Sequence, residues 1–387
     1  MSNIDWQPRA RELAQRMRDS GDITDASWAA AWASVPRHIL VPYFYTQQGN
    51  TWHRVDSHTP EGLNATYSTT TLVTALSPPD SRGHREPVSS STKPDLMARM
   101  LTTLDIHDAH RVLEIGTGTG LNAAVLSRRL GDACVYSVDV DPELVDLARW
   151  RLDSIDAHPA LAAVDGITGW SQHGPYDRII ATCSVPCIPL AWAEQLTKDG
   201  TILVDVQLGT GAGNLVLLHR DRDSLTGRFL TRRGTFMPMR RPNTTTNTNP
   251  PPELDGPLRT STTQTPPQIW VDAPLAWYLA QLGLPAGVGY GYLLDRERRT
   301  PRAVTVTAPD GSRAQVSLTA DPHTGRHDLI EQGPTPLWPT ISEAFTRWVE
   351  LGEPSWERLG LTVTATEQTL WLDNATSSNT WRLANCA

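Results

Sequence analysis

Val112-Leu113-Glu114-Ile115-Gly116-Thr117-Gly118-Thr119-Gly120 is an apolar strand that runs straight into three alternating glycines. A second apolar strand, Val135-Tyr136-Ser137-Val138, closes on Asp139. Glycines let a backbone approach a ligand closely, and a helix after the turn, here Leu121 to Leu130, begins with unpaired amides. An acidic side chain about twenty residues on, at the end of the next strand, can accept both hydroxyls of a ribose. The dinucleotide fingerprint G-x-G-x-x-G is not met, because the third glycine comes one residue early. A cradle without room for a pyrophosphate suits S-adenosylmethionine (SAM), which has none. The competing reading, a tight strand-to-helix connection with no ligand, leaves the order of strand, glycines, helix and distal acid unexplained.

Around this turn the alternation is regular. A helix at Pro94 to Leu104 precedes the strand Arg111 to Ile115. Strand Cys134 to Asp139, helix Pro142 to Leu152 and a short strand Leu161 to Val164 follow. Further strands at Arg178 to Thr182 and Thr201 to Val206 flank a helix at Leu190 to Leu196. The pattern predicts an α/β fold, a doubly wound parallel sheet with ligand at the carboxyl ends of its strands. Upstream, Pro8 to Arg18 and Asp25 to Ala33 read as helices, and Val35-Pro36-Arg37-His38-Ile39-Leu40-Val41-Pro42 as extended. Tyr43 to Val88 is rich in Thr, Ser, Pro and His and reads as an inserted substrate flap, since a connection of that length is functional more often than not. Beyond Met239, Arg241 to Pro267 is a Thr/Pro-rich linker by composition. From Ile269 a smaller α+β domain is expected, with a hairpin at 303–307 and 314–318, a helix near 341–351 and strands at 361–364 and 369–372. Seven of the fourteen tryptophans fall there and read as core. The expected domains are 1–88, 89–240, 241–268 and 269–387.

A chain of 387 residues exceeds one ordinary core. A net charge of −8 without a basic block argues against a nucleic-acid partner. No apolar run reaches membrane-spanning length, the start lacks a signal region, and four scattered cysteines suggest no disulfide framework, so a cytoplasmic protein is expected. The pairs Cys183/Cys187 and His323/His327 have metal-ligand spacing, but neither has a matching second pair, and no metal site is expected.

Three more segments bear on chemistry. Asp165-Gly166-Ile167-Thr168-Gly169-Trp170 follows the third strand and places a carboxylate where an adenine amino group would sit. Pro175 to Thr182 leads into Val185-Pro186-x-x-Pro189, a rigid loop. Ser89-Ser90-Ser91-Thr92-Lys93-Pro94 precedes the first core helix, where hydroxyls and amides can meet a substrate carboxylate. With Val35 to Pro42, these segments resemble the protein-L-isoaspartate O-methyltransferase family over Val35 to Val206. The resemblance implies a SAM-dependent, Rossmann-like core and a carboxyl O-methyltransferase. It further implies that Glu114, Gly116, Thr117, Gly118 and Gly120 shape the cofactor pocket with Val140, Gly166 and Thr182. Asp139 would hold the ribose and Asp165 the adenine, while Thr92, with Ser90 or Ser91, would orient the accepting carboxylate. Lys93 departs from the small or neutral residue usual there and could pair with an acidic substrate.

The repair enzymes of this family look like the core alone. The long 43–88 segment, the C-terminal region, the Ser-Ser-Ser-Thr-x-Pro loop and Ala181-Thr182-Cys183-Ser184-Val185-Pro186 instead look like methyltransferases of ATP-grasp (graspetide) peptide clusters. That likeness implies methylation of an aspartate in a ribosomally made, ligase-cyclised precursor peptide, the ester then collapsing to an aspartimide, with an ATP-grasp ligase as pathway partner. The alternatives are repair of L-isoaspartyl residues and, in another class, a SAM-binding peptide-recruitment module without catalysis. Ser and Thr before proline also serve as ordinary loop and capping residues.

Overall fold

The computed structural model describes residues 5–242, 256–295 and 299–386. The middle of the expected linker, 243–255, lies outside the described residues.

The chain opens with helices α1 (Gln7–Asp19) and α2 (Ala26–Ser34), the latter capped by Asp25, whose carboxylate accepts the Ser27 N–H. Val35 to Pro42 is not extended: a single helical turn, α3 (Arg37–Leu40), sits between the prolines and buries Arg37, His38 and Leu40. The expected flap is a folded unit. Strands β1 (Tyr43–Gln48) and β2 (Thr51–Asp56), helix α4 (Pro60–Thr66) and strands β3 (Leu72–Leu76) and β4 (Pro87–Ser91) form an antiparallel sheet in the order β2-β1-β3-β4. Its small core is Val41, Phe44 and Leu72, too sparse to leave a clear hydrophobic period in the sequence.

Helix α5 (Pro94–Thr103) leads to β5 (Val112–Ile115), α6 (Leu121–Leu130), β6 (Val135–Asp139), α7 (Pro142–Asp153) and β7 (Ala160–Ala163). Strand β8 (Tyr176–Val185), helix α8 (Leu190–Glu194), and strands β9 (Leu196–Gly209), β10 (Ala212–Asp221) and β11 (Ser224–Phe229) complete the core. Every residue of β5 and β6 is buried, the mark of parallel strands covered on both faces. Strands β7, β6, β5, β8 and β9 are parallel and adjacent in that order. The order reverses between β5 and β8, and a crevice opens above their carboxyl ends.

Strand β12 (Arg259–Thr263) occupies part of the expected linker. Helices α9 (Ile269–Asp272) and α10 (Pro274–Gln281) and strands β13 (Gly289–Leu294), β14 (Pro301–Thr307), β15 (Arg313–Ala320) and β16 (His327–Gln332) follow, making a five-stranded sheet β12-β16-β15-β14-β13. After α11 (Leu337–Glu350), the last strands β17 (Leu359–Val363), β18 (Gln368–Leu372) and β19 (Thr380–Leu383) return to the core and extend its sheet beyond β11. The catalytic-type sheet is therefore ten-stranded, and 269–387 is not set apart as the sequence suggested: β11 pairs with β17 from Leu225 against Val363 to Arg228 against Gly360. Trp270, Trp277, Trp338, Trp356 and Trp371 are buried, and the cluster containing the first four is continuous with the core beneath β8 and β9.

One covalent link reinforces this return. Cys187 and Cys386 form a disulfide with a Cα–Cα distance of 5.5 Å across 199 residues of sequence. Four cysteines do not announce it, because only the fold brings the chain end to the loop after β8. Gln368 supports the same junction, donating to Ile188 O at 2.8 Å and accepting the Ile188 N–H at 2.9 Å. Cys187→Ser/Cys386→Ser is expected to cost about 2 kcal/mol, below the loop-entropy limit because Gln368 still holds the junction. Thermal melts with and without reductant check it: reductant should lower the wild-type midpoint and leave the variant's unchanged. Among the described residues, no helix is long and apolar enough to cross a membrane.

Candidate functional site

The cleft above β5 and β8 has a volume of about 1580 Å³. Its floor is the glycine turn, its walls are Ser89–Lys93 on one side and Arg232–Arg240 on the other, and the β3–β4 connection at Ser77–Asp80 lies at its rim. Gly116 has φ +105°, and a Cβ there would lie 2.5 Å from Thr182 Oγ1. The Thr182 hydroxyl donates to Gly116 O at 2.8 Å, tying the turn to the end of β8. A Cβ on Gly120 would press on Leu152 and Ala148 of α7, so this glycine serves helix packing. The Gly116 and Thr117 amides both donate to Val138 O and the Gly118 amide to Asp139 Oδ2 at 3.0 Å, so the turn is held by its own sheet.

Glu114 lies beneath the turn, fully buried. Ser137 donates to its Oε2 at 2.7 Å and Asn122 to its Oε1 at 2.9 Å, while Thr117 meets Ser137 at 2.7 Å. Burial pushes the Glu114 carboxyl up to about 7, against these two hydrogen bonds. Asp139 stands at the end of β6 at the cleft edge, and Val140 and Gly166 line the same wall. Asp165 is not part of the lining: its carboxylate accepts the Ile167 N–H at 3.1 Å and lies 4.0 Å from Arg241.

The sequence reading missed two arginines beside these acids. Arg240 lies 3.7 Å from Asp139 and 3.5 Å from Asp141, and Arg241 faces Asp165. Both follow Phe236-Met237-Pro238-Met239, a segment fixed to the end of β8 by Ser184 N–H to Met237 O at 2.9 Å and Met239 N–H to Ser184 O at 2.8 Å. In sequence Arg240 ends the expected core and Arg241 opens the expected linker, so neither stands out as a site residue.

The Ser89–Lys93 wall is organised by Arg37, which is 2% exposed. Its guanidinium donates to Thr66 O at 2.7 Å, Ser68 O at 3.1 Å, Thr70 O at 3.4 Å and Thr92 O at 3.4 Å, and to the Ser91 hydroxyl at 3.3 Å. Burial lowers its pKa to about 9, which leaves it cationic at neutral pH. Ser91, 3% exposed, accepts from Arg37 through its hydroxyl oxygen while lining the cleft. Ser90 and Thr92 are less buried and line the cleft, Ser90 O facing Gly118 across it. Lys93 is already paired, its Nζ 3.0 Å from Asp95 Oδ2, so its charge is partly offset within the chain. Among the described residues, no group of His, Cys, Asp and Glu could hold a metal ion.

Asp205 on β9, with no exposed surface, supports the opposite wall by accepting the Phe236 N–H at 2.9 Å. Burial pushes it up to about 7. A carboxyl whose pKa rises on folding gives stability that is fully present below its ordinary value near 4 and lost as pH climbs to about 7, because the unfolded chain ionises first. Asp205→Asn is therefore expected to gain stability over wild type progressively between those pH values, with no further gain above. Unfolding midpoints of both proteins across that range check it.

A family profile described as Protein-L-isoaspartate(D-aspartate) O-methyltransferase (PCMT) matches residues 83–241, the stretch that contains the turn and both cleft walls. Protein-L-isoaspartate O-methyltransferase 1 of Archaeoglobus fulgidus is 31% identical over 220 residues, covering 56% of this chain and 88% of that relative. The chain belongs to the protein-L-isoaspartate O-methyltransferase family. The corresponding protein of Methanococcoides burtonii is 32% identical over 200 residues, 51% of this chain and 84% of its own. Membership makes the chain a SAM-dependent carboxyl O-methyltransferase, and the turn, the Asp139 carboxylate and the open switch-point cleft fit that cofactor. A solved structure titled protein-L-isoaspartate O-methyltransferase shares the fold at a TM-score of 0.54 and 22% identity, over 94% of this chain and all of that one. The likeness thus reaches past the core into the C-terminal region, which corrects the expectation that family members of that title consist of the core alone.

Proposed function

We propose that this family member methylates an aspartyl side-chain carboxylate in a ribosomally made, ligase-cyclised peptide of the graspetide class, with the ATP-grasp ligase acting before it. The carrying observation is the cleft of about 1580 Å³. Ligand pockets run to about 300–1,000 Å³, so a cofactor leaves room here for a bulky peptide loop. When bound, SAM supplies an electrophilic methyl group. Asp139, at the end of β6, would accept the ribose hydroxyls. Asp165, turned to Ile167 and Arg241, would have to rotate to meet the adenine, and Gly166 is the nearer wall. Thr92, with Ser90, holds one oxygen of the accepting carboxylate so that the other faces the methyl; Arg37 fixes the strand that presents them. No general base is needed, since the carboxylate is ionised at neutral pH, and positioning supplies most of the acceleration, up to roughly 7–11 kcal/mol. The following backbone amide nitrogen then attacks the ester carbonyl, and methanol leaves as the imide closes.

A second reading, methylation of L-isoaspartyl residues in damaged proteins, is favoured by the names of the relatives and by the near whole-length structural likeness. Mass spectrometry of the protein with SAM separates the two. Methyl gain on a cyclised precursor, followed by methanol loss, supports the first; turnover of an isoaspartyl peptide alone supports the second. Thr92→Val is expected to bind SAM normally and lose about a hundredfold or less in turnover, the scale of one misplaced reactant. Unchanged turnover removes Thr92 from the mechanism.

A further inference from the structure

Strand β13 is an outer edge of the five-stranded sheet; among the described residues it pairs only with β14. Its sequence, Gly289-Tyr290-Gly291-Tyr292-Leu293-Leu294, carries none of the charges or prolines that protect edges, and Tyr292 and Leu294 are exposed. The other outer strand differs: Arg326 donates to both Thr262 Oγ1 at 2.7 Å and Thr262 O at 3.0 Å, covering β12. The start of β13 abuts the cleft. A Cβ on Gly211 would lie 3.1 Å from Tyr290 Oη, and Arg233, a cleft-lining residue, donates to Gly211 O at 2.9 Å. Arg233 is exposed, and its guanidinium donates to backbone carbonyls with the buried Asp205 carboxylate within electrostatic reach. Arg232 lines the same wall, but its guanidinium donates to the buried Asp22 carboxylate at 2.8 Å, which leaves Arg233 as the cation that faces the edge.

We propose that the free edge of β13 receives an extended, acidic segment of the peptide substrate as an added strand, with an acidic side chain reaching Arg233 where the strand meets the cleft. Six residues of edge span about 20 Å, enough to fix direction and register for a peptide whose accepting residue enters the cleft. Main-chain pairing gives affinity, Tyr292 and Leu294 give apolar contact, and Arg233 selects negative charge. The inference rests on the peptide-substrate reading above, and its test separates the two. A fluorescein-labelled Thr/Glu-rich peptide is titrated against the full-length protein by anisotropy, beside the same peptide N-methylated at alternate amides and a Thr/Lys-rich counterpart. Tyr292→Ala/Leu294→Asp and Arg233→Gln are tested in parallel. The expected result is about tenfold weaker binding for each change, with turnover of a minimal isoaspartyl peptide unaltered in the β13 variant. No binding by wild type, equal binding of the N-methylated peptide, or equal binding by the β13 variant overturns the proposal. If the acidic peptide binds as expected but no peptide is methylated, docking stands and the substrate assignment falls.

Discussion

Asp139→Ala is expected to weaken SAM binding by about a hundredfold, roughly 2.7 kcal/mol. Hydrogen bonds to a charged group contribute about 1.5–3 kcal/mol each, and in the proposed binding mode this carboxylate accepts two from a ribose. The substitution also strips the Gly118 amide of its acceptor and leaves Arg240 with Asp141 alone. Asp139→Asn keeps an acceptor for Gly118 and should fall between, which separates loss of charge from collapse of the turn. Calorimetric titration with SAM measures both, and circular dichroism should show the fold retained, since Asp139 sits at the strand end and not within the apolar core. Wild-type affinity in the alanine variant would place the ribose elsewhere.

Arg37→Met is expected to destabilise the protein by about 3–5 kcal/mol and to abolish turnover. The cost comes from leaving the buried Thr66 carbonyl and three part-buried ones without their donor, the same arithmetic that makes breaking a buried polar cluster expensive. Thr66, Ser68, Thr70 and Thr92 all lose a donor at once. Because the same guanidinium spans α4, the approach to β3 and the end of β4, the wall carrying Ser90 and Thr92 loses its anchor. Denaturant unfolding gives the stability change, and SAM titration of the folded fraction should show binding close to wild type, since Arg37 does not line the cofactor side. Arg37→Lys is expected to recover only part of the stability, as an ammonium cannot fork across that many acceptors.

The glycine turn and Asp139, which the fold brings to one cleft, were legible because they are written in nearly consecutive residues. Gly116 to Gly120 and Asp139 are each forced by local geometry: a positive φ, a close approach to Thr182, a strand end. Helices α6 and α7 and strands β5 and β6 carried strong periods and were placed within a residue or two. What escaped was made by long-range pairing. The role of Arg37 depends on acceptors 29 to 55 residues away, and nothing in Pro36-Arg37-His38 distinguishes it from a surface arginine. Arg240 and Arg241 sit at a compositional boundary that hides them. Strands β10 and β11 escaped although Leu215, Val216 and Leu218 are fully buried, because they add antiparallel to β9 where the strand-helix alternation has ended. The junction of the C-terminal region with the core was hidden for the same reason: β17 to β19 show strand character, but their sheet partner is β11, not β12 to β16.

That return of β17 to β19 orders events during synthesis. Strand β11 finds its neighbour only after more than a hundred further residues have left the ribosome, so until then the enzyme carries an unprotected flank prone to pairing with other chains. Emergence of β17 is what seals it.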